Sequence, residues 1–346
     1  MNSTPDMTMP FYKARTLIYD TFGEPSRVLR MQYVSKPPLK AEEVLVKMRQ
    51  SSINPSDLIP IRGAYKSRIK LPCVPGYEGF GYVVKHGQGV SFPPIGSRVL
   101  ALRGEGTWQD YVATAAEDAI IVPDAINDDT AAQLYINPMT AWLMIKEKLK
   151  LKPGDTLAVN AAGSAFGNII AKFSKIFGYN VIAIVRNEFY RKTLMESGAK
   201  FVINSEKLSL IKTVLDITSN RGVTATLDAV GGESGTALAK CVKSEGIMLH
   251  YGLLSGIPLP AEVFHSHVMG ITVENFWLRQ MLLTMDTQER KKVFNEMIET
   301  FIKYDISLPV ADRFDISNIS QAVEFAEKPN RIGKTTLVWS NAPSAI

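Results

Sequence analysis

The residues best suited to chemistry in this 346-residue chain lie in a short loop, Ala162-Gly163-Ser164-Ala165-Phe166-Gly167. It follows the apolar run "TLAVNAA" and opens the helix-like stretch "FGNIIAKFSKIFGY". Small residues at a strand-to-helix turn let backbone N–H groups approach an anion at the helix N-terminus. Of the pattern G-x-G-x-x-G only the third glycine is kept, Gly167, the one that lets helix and strand pack closely. Alanine and serine still leave room for a pyrophosphate, and Ser164 adds a hydroxyl donor. About twenty residues on, "VIAIVRNEFYR" puts Arg186 and Asn187 at the end of the next strand, with Arg191 nearby. A carboxylate in that position holds a ribose 2′-hydroxyl, whereas a guanidinium pairs with a 2′-phosphate. The chemistry predicted is binding of a dinucleotide, NADPH in preference to NADH; the alternative is a solvated arginine at a strand end.

Metal chemistry has little to work with. The chain has two cysteines and four histidines, and its nearest approach to a ligand pair is His265 and His267 in "FHSHVM". A closed zinc site needs about four N, S or O ligands, so no metal is expected. Cys73 and Cys241 are far apart and read as separate free thiols. The formal charge of +5 is spread without a dense basic block or interleaved aromatics, which argues against nucleic acid. No apolar run approaches the roughly 20 residues that span a bilayer. The start, "MNSTPDMTMPFYKAR", has no apolar signal core and is too short and too acidic for a transit peptide, so the cytoplasm is expected.

These residues need a scaffold, and the chain changes rhythm to provide one. The first third is β-prone: "RTLIYD", "EEVLVKMRQSSI", "FGYVVKHG", "SRVLAL" and "DYVATAAEDAIIVP", broken by Gly and Pro. From residue 128, "DDTAAQLYINPMTAWLMIKEKL" has helical spacing, with Pro138 expected to bend or divide it. Six apolar strands alternating with helices then follow, the last reading "GITVENFWL". Such alternation calls for a parallel sheet covered on both faces. The final residues start with a helix, "DTQERKKVFNEMIETFIKY", and end in "GKTTLVWS", a tail too small for its own domain. The expected architecture is α/β: a Rossmann-type doubly wound parallel sheet over 129–278, inserted in a β-rich domain of residues 1–128 and 279–346.

With these segments in view, the chain resembles the medium-chain dehydrogenase/reductase superfamily over nearly its whole length. The resemblance is carried by "NPSD" at 54–57, "PGYEGFGYV" at 75–83, "GTW" at 106–108, "NPMTAW" at 137–142, "KPGD" at 152–155, "YGLLSG" at 251–256 and "FWL" at 276–278. It implies a GroES-like fold for the β-rich domain. Where the zinc-dependent branch has its catalytic cysteine, this chain has Asn54 to Asp57, and where that branch has the histidine of G-H-E it has Tyr77. The resemblance is therefore to the zinc-free members. "INPSD" followed by Gly63-Ala64-Tyr65, together with "GTW", "NPMTA", the serine-bearing loop, the arginine after the second strand, "YG" and "FWL", resembles the mitochondrial-type 2-enoyl thioester reductases. The NADPH:quinone reductases are similar too, but usually keep a more glycine-rich loop.

What this resemblance implies is reduction of a polarised C=C bond. Tyr65 would be the catalytic hydroxyl, donating a proton or holding the thioester oxygen. Asn54 would help orient the nicotinamide, and Trp277 with Phe276 would wall the substrate pocket. Asn137, Thr140 and Asn160 would contact the cofactor, as would Tyr251, Gly252 and Leu253 at the carboxyl end of a strand. Arg62, Lys66, Arg68 and Lys70 flank Tyr65 and could meet the phosphates of coenzyme A or an acidic carrier, or form a solvated loop. Two departures stand out: "NEFYRK" replaces an expected second arginine, and Ser97 stands where aspartate is usual. A quinone or small-enone reductase is the alternative, and a nucleotide-binding sensor with little catalysis a further one. The apolar last strand could pair with its twin across a two-fold axis, so a homodimer is expected.

Overall fold

The computed structural model describes residues 13–102, 106–265 and 270–339. Along the chain the strands are β1 (Lys13–Ile18), β2 (Arg30–Ser35), β3 (Glu43–Ser52), β4 (Phe80–His86), β5 (Arg98–Ala101), β6 (Tyr111–Ala115) and β7 (Ala119–Ile121). Then come β8 (Thr156–Val159), β9 (Asn180–Val185), β10 (Phe201–Asn204), β11 (Val223–Asp228), β12 (Val242–His250), β13 (Thr272–Asn275), β14 (Val310–Asp315) and β15 (Lys334–Val338). Among the described residues, those up to Tyr135 and those from Ser307 form one compact unit, and Ile136–Ile306 form the other. The sequence places these divisions at 128/129 and 278/279. The difference at the second boundary comes from the helix Thr287–Lys303, which packs within the second unit: Phe301 meets Phe173 edge-on, ring centroids 6.1 Å apart.

The first unit is built on a sheet in the order β14-β15-β3-β4-β5-β7, with β6 also on β3 and a separate β1-β2 pair. The C-terminal strand β15 enters it antiparallel to β3, pairing Thr336 with Ser52. Alternate residues of β3 turn inward, and Val44, Val46 and Met48 join Leu17, Ile53, Trp108 and Leu337 in one core. The run "DYVATAAEDAIIVP" is two strands and not one, because a short 3-10 turn at Ala116–Asp118 separates β6 from β7.

In the second unit six strands stand in the order β10-β9-β8-β11-β12-β13, every adjacent pair parallel. This is the doubly wound order whose switch point lies beside the first strand, here β8. Ala158, Ile182, Ile184 and Ile203 are fully buried between the sheet and its helices, as the apolar runs require. Pro138 does not divide its helical stretch. The break falls at 132–135, and Pro138 lies in the first turn of the helix Ile136–Leu143, where its missing N–H is no loss. The helix Gly232–Ala239 stops short of Cys241, and β12 begins at Val242. Cys73 and Cys241 are both free thiols, one in each unit.

Candidate active site and cofactor-binding residues

In the first unit the segment "INPSDLIPIRGAY" leaves β3 and forms the helix Pro55–Ile61, capped by Asn54. The Asp57 carboxylate accepts the backbone N–H of Asn54 at 2.7 Å and of Tyr77 at 2.9 Å, so one side chain ties the helix start to "PGYEG". Burial pushes the Asp57 carboxyl up to about 7, with Glu78 adding to the rise against the hydrogen bonds that oppose it. Asn54 is buried and both ends of its amide are taken: Nδ2 donates to Glu78 Oε1 at 2.6 Å, and Oδ1 accepts from Lys334 Nζ. Its side chain thus joins a polar network inside this unit. "GTW" fastens the same region, because Thr107 and Trp108 donate backbone N–H groups to Gly76 and Pro75. The Thr107 hydroxyl adds a bond to the carbonyl of Glu78 at 2.9 Å.

At the other end of the helix, the backbone N–H groups of Gly63 and Ala64 bond Pro60 and Ile59 and hold the turn that carries Tyr65. Tyr65 has φ +66°, a left-handed backbone that costs a bulky side chain roughly 1–3 kcal/mol. It is 54% exposed, and the Arg68 guanidinium lies 4.2 Å over its ring. Of the other cations named beside it, Arg62 is bound to Glu24 and Glu327 at 2.7 and 2.8 Å. Lys66 lies over the Phe22 ring.

In the second unit the loop after β8 has the geometry of a dinucleotide turn. Ser164 caps the 13-residue helix Ala165–Phe177 by accepting the N–H of Gly167 at 3.2 Å. A Cβ on Gly167 would stand 2.2 Å from the carbonyl oxygen of Ala162, so only glycine lets helix and strand come this close. Gly163 is needed for a different contact, since a Cβ there would meet the ring of Tyr190 at 2.5 Å. Phe166 stacks on Tyr251, centroids 4.6 Å apart, which brings the first helical turn to the end of β12. Ala162 is buried, Gly252 lies against the backbone of Ala229, and Leu253 is exposed.

Behind this loop lies a group the sequence reading does not single out. Asp228, at the end of β11, accepts His250 Nδ1 at 2.7 Å, the Asn160 amide, and the N–H groups of Val230 and Gly231 at 3.0 and 3.1 Å. Asn160 also accepts the N–H of Ala229 at 2.8 Å and donates to Ser234. Burial raises the Asp228 carboxyl, but the hydrogen bonds from His250, Asn160 and the two backbone groups outweigh it and hold it below the usual value. Asn160 therefore braces the strand ends with its side chain.

Arg186 is exposed at the end of β9 and makes no ion pair among the described residues. Asn187 caps the following turn by accepting the N–H of Phe189. Arg191 is engaged by Glu188 three residues before it. Asn137 and Thr140 share one face of the helix Ile136–Leu143, Asn137 half-buried and Thr140 buried. Phe276 is buried and bonded through its N–H to His250, whereas Trp277 is 50% exposed. His267 lies outside the described residues. Among those described, no group of three or more His, Cys, Asp and Glu side chains is placed to hold a metal ion. A serine-capped helix start, a turn closed down to backbone contact and an open arginine together fit a phosphorylated dinucleotide.

The comparisons agree with this architecture. Residues 40–124 match the alcohol dehydrogenase GroES-like domain, and residues 165–300 the zinc-binding dehydrogenase family. The mitochondrial enoyl-[acyl-carrier-protein] reductase of Rattus norvegicus is 30% identical over 91% of this chain and 86% of its own length. That of Caenorhabditis elegans is 32% identical over 82% of this chain and 83% of its own. The crystal structure of a Bacillus thuringiensis protein assigned to the NADPH:quinone reductases is 39% identical, with a TM-score of 0.91 over 95% of this chain and 99% of that one. Fold and site loops together define a two-unit dehydrogenase/reductase. The chain belongs to the medium-chain dehydrogenase/reductase superfamily, whose members are oxidoreductases.

Proposed function

We propose that this chain uses NADPH to reduce the C=C bond of a 2-enoyl thioester, without a metal, and that Tyr65 is its catalytic hydroxyl. NADPH supplies the hydride when bound. The chain's own part is to steady the negative charge that reaches the thioester oxygen and to bring a proton to the α-carbon. A hydroxyl placed at either atom does this. The observation that carries the reading is Tyr65 itself, held in a strained left-handed turn with its ring exposed under Arg68. Strain of this kind persists where the surrounding structure over-determines it, as the Gly63 and Ala64 bonds to the helix do here. The similarity to enoyl-[acyl-carrier-protein] reductases supports the substrate class.

For the cofactor, Ala165, Phe166 and Gly167 head the helix that faces the pyrophosphate, and exposed Arg186 meets the 2′-phosphate. Arg191 must leave Glu188 to join it. Trp277 walls the acyl site, with Phe276 buried behind it. Reduction of quinones or small enones is the second reading, favoured by the 39% identity to the Bacillus thuringiensis protein. Because β13 ends its sheet, a homodimer through this edge belongs to the same proposal, and a single monomer mass by light scattering would exclude it. A cytoplasmic location belongs to the same proposal, and fractionation of cells expressing the tagged chain tests it. No helix among the described residues is long and apolar enough to cross a membrane.

The deciding experiment follows NADPH oxidation with crotonyl-CoA, a longer 2-enoyl-CoA and a simple quinone, in wild type and Tyr65→Phe. Enoyl-CoA turnover that falls at least tenfold in the variant supports both parts. Quinone turnover alone, indifferent to the substitution, moves the chain to the quinone reductases and leaves Tyr65 a structural residue.

A further inference from the structure

Besides Arg186 and Arg191, the turn after β9 carries a carboxylate. Glu188 opens the 3-10 turn Glu188–Tyr190 just past the end of β9, and it is the one acid between Val185 and Arg191. Two contacts fix the place of this turn. The N–H of Ala162 bonds the carbonyl of Ile184 at 3.1 Å, which seats the dinucleotide turn against β9. The ring of Tyr190 lies over Gly163, so close that a Cβ there would meet it at 2.5 Å. Glu188 therefore stands at the carboxyl end of β9, beside the loop proposed for the pyrophosphate, where open α/β sheets bind their ligands.

Its carboxylate has three named neighbours. Arg191 donates Nε to Oε2, and Nη2 to Oε1 at 3.4 Å. The Asn204 side chain adds a hydrogen bond from the end of β10, and Lys207 acts on it as a nearby cation. Asn204 is 2% exposed, and its Oδ1 already accepts the N–H of Glu206 at 3.0 Å, so its amide NH2 is the end that faces Glu188. The Arg191 bond holds the Glu188 carboxyl below its usual value, so it is ionised at neutral pH. Asn187, by contrast, spends its own Oδ1 on the N–H of Phe189.

Two cofactors ask for opposite things here. The 2′-phosphate of NADPH brings about two negative charges and needs cations. The 2′-hydroxyl of NADH is neutral and donates a hydrogen bond, which a carboxylate accepts. A carboxylate has about four lone-pair positions, so Glu188 can keep Arg191 and Asn204 and still take a hydroxyl. Against a phosphate it works twice over, repelling the incoming charge and occupying Arg191.

We infer that Glu188 is a specificity-determining residue, which accepts the ribose 2′-hydroxyl of NADH and lets this chain use NADH as well as NADPH. The inference rests on the dinucleotide reading of the loop and of Arg186, and not on the identity of the acceptor. With NADPH, Arg191 leaves Glu188 for the phosphate; with NADH the pair stays closed. Glu188 and Arg191 are 43% and 44% exposed, so solvent screens the repulsion and the discrimination is modest.

The test measures dissociation constants for NADH and NADPH by fluorescence titration of the full chain at low and high salt. Wild type, Glu188→Gln and Glu188→Ala are compared, with a thermal melt of each. Wild type should bind NADH no more than about tenfold more weakly than NADPH. Glutamine keeps the size and loses the charge. It should bind NADPH at least about threefold more tightly and NADH at least about threefold more weakly, moving the ratio by about tenfold. Alanine should move it the same way, and carries the comparison if the glutamine variant does not fold. The NADPH gain should shrink at high salt, because it is electrostatic. Equal shifts for both cofactors, or none, make Glu188 a structural residue and overturn the proposal. So does a wild type that binds NADH more than about tenfold more weakly than NADPH. A chain that binds neither cofactor overturns the dinucleotide reading itself.

Discussion

Asp57 and Asp228 are both buried aspartates beneath loops that the proposed reaction uses, yet their carboxyls move in opposite directions. Burial pushes both up. Asp228 is held down because His250, Asn160 and two backbone N–H groups all donate to it. Asp57 receives two backbone N–H groups and faces the like charge of Glu78, so desolvation wins and its carboxyl stands at about 7. The lesson is one of donor supply. Asp228 is an ionised hub that locks three strand ends, whereas Asp57 belongs to a network whose charge changes near neutral pH.

Replacing Asp228 is the strongest way to break this contrast. Asp228→Ala leaves the Asn160 amide, His250 and the N–H groups of Val230 and Gly231 without their shared acceptor. A loss of about 3–5 kcal/mol in urea unfolding is expected, together with loss of NADPH binding. Stability near that of wild type would show that water replaces the carboxylate and that the hub is not needed.

Gly167→Ala comes next, because its Cβ would lie 2.2 Å from the Ala162 oxygen. Helix and strand must separate, with an expected cost of about 2 kcal/mol and NADPH affinity at least tenfold weaker by fluorescence titration. Unchanged affinity would show that the cofactor does not use this turn.

Asp57→Asn sharpens the comparison through pH. The folded chain keeps the Asp57 proton up to about pH 7, and an unperturbed carboxyl releases it near 3.8. Its contribution to stability is therefore complete below about pH 4 and is lost as pH rises to 7. The asparagine variant should flatten the stability profile between those values in thermal melts. Asp228 has the opposite sign: its folded carboxyl ionises more readily than usual, so its contribution is present above 3.8 and is lost as pH falls below that value. Asp228→Asn should remove part of the acid limb and leave the neutral range alone. A wild-type slope between pH 4 and 7 in Asp57→Asn would contradict the assignment.

The smallest effect is expected at Arg62. Its pairs with Glu24 and Glu327 are partly exposed and screened by solvent, so Arg62→Ala should cost below about 1 kcal/mol and less at high salt. A larger loss in denaturant titration would make this corner of the first unit a structural anchor.

Local pattern made much of the fold legible. Alternating apolar strands and helices from residue 156 onward announce the parallel sheet, and its order follows from the connections. The turn 162–167 was readable because small residues at a strand end have few other uses. Where the reading missed, longer-range packing decided. The helix Thr287–Lys303 has the same local signals in either unit, and only the Phe301–Phe173 contact assigns it. The buried partners of Asn54, Glu78 and Lys334, were not legible because they are 24 and 280 residues away.

The sequence alone determined the class, through the segments that resemble the medium-chain dehydrogenase/reductases and the alternating strands and helices that follow residue 156. These are local matters of residue size, charge and backbone preference. Tertiary structure alone decided that Lys334 joins Asn54 in a buried network at the start of the helix Pro55–Ile61 and that Asp228 gathers three strand ends. Such roles depend on which side chains share a space without water, and burial and hydrogen-bond supply are properties of the folded chain.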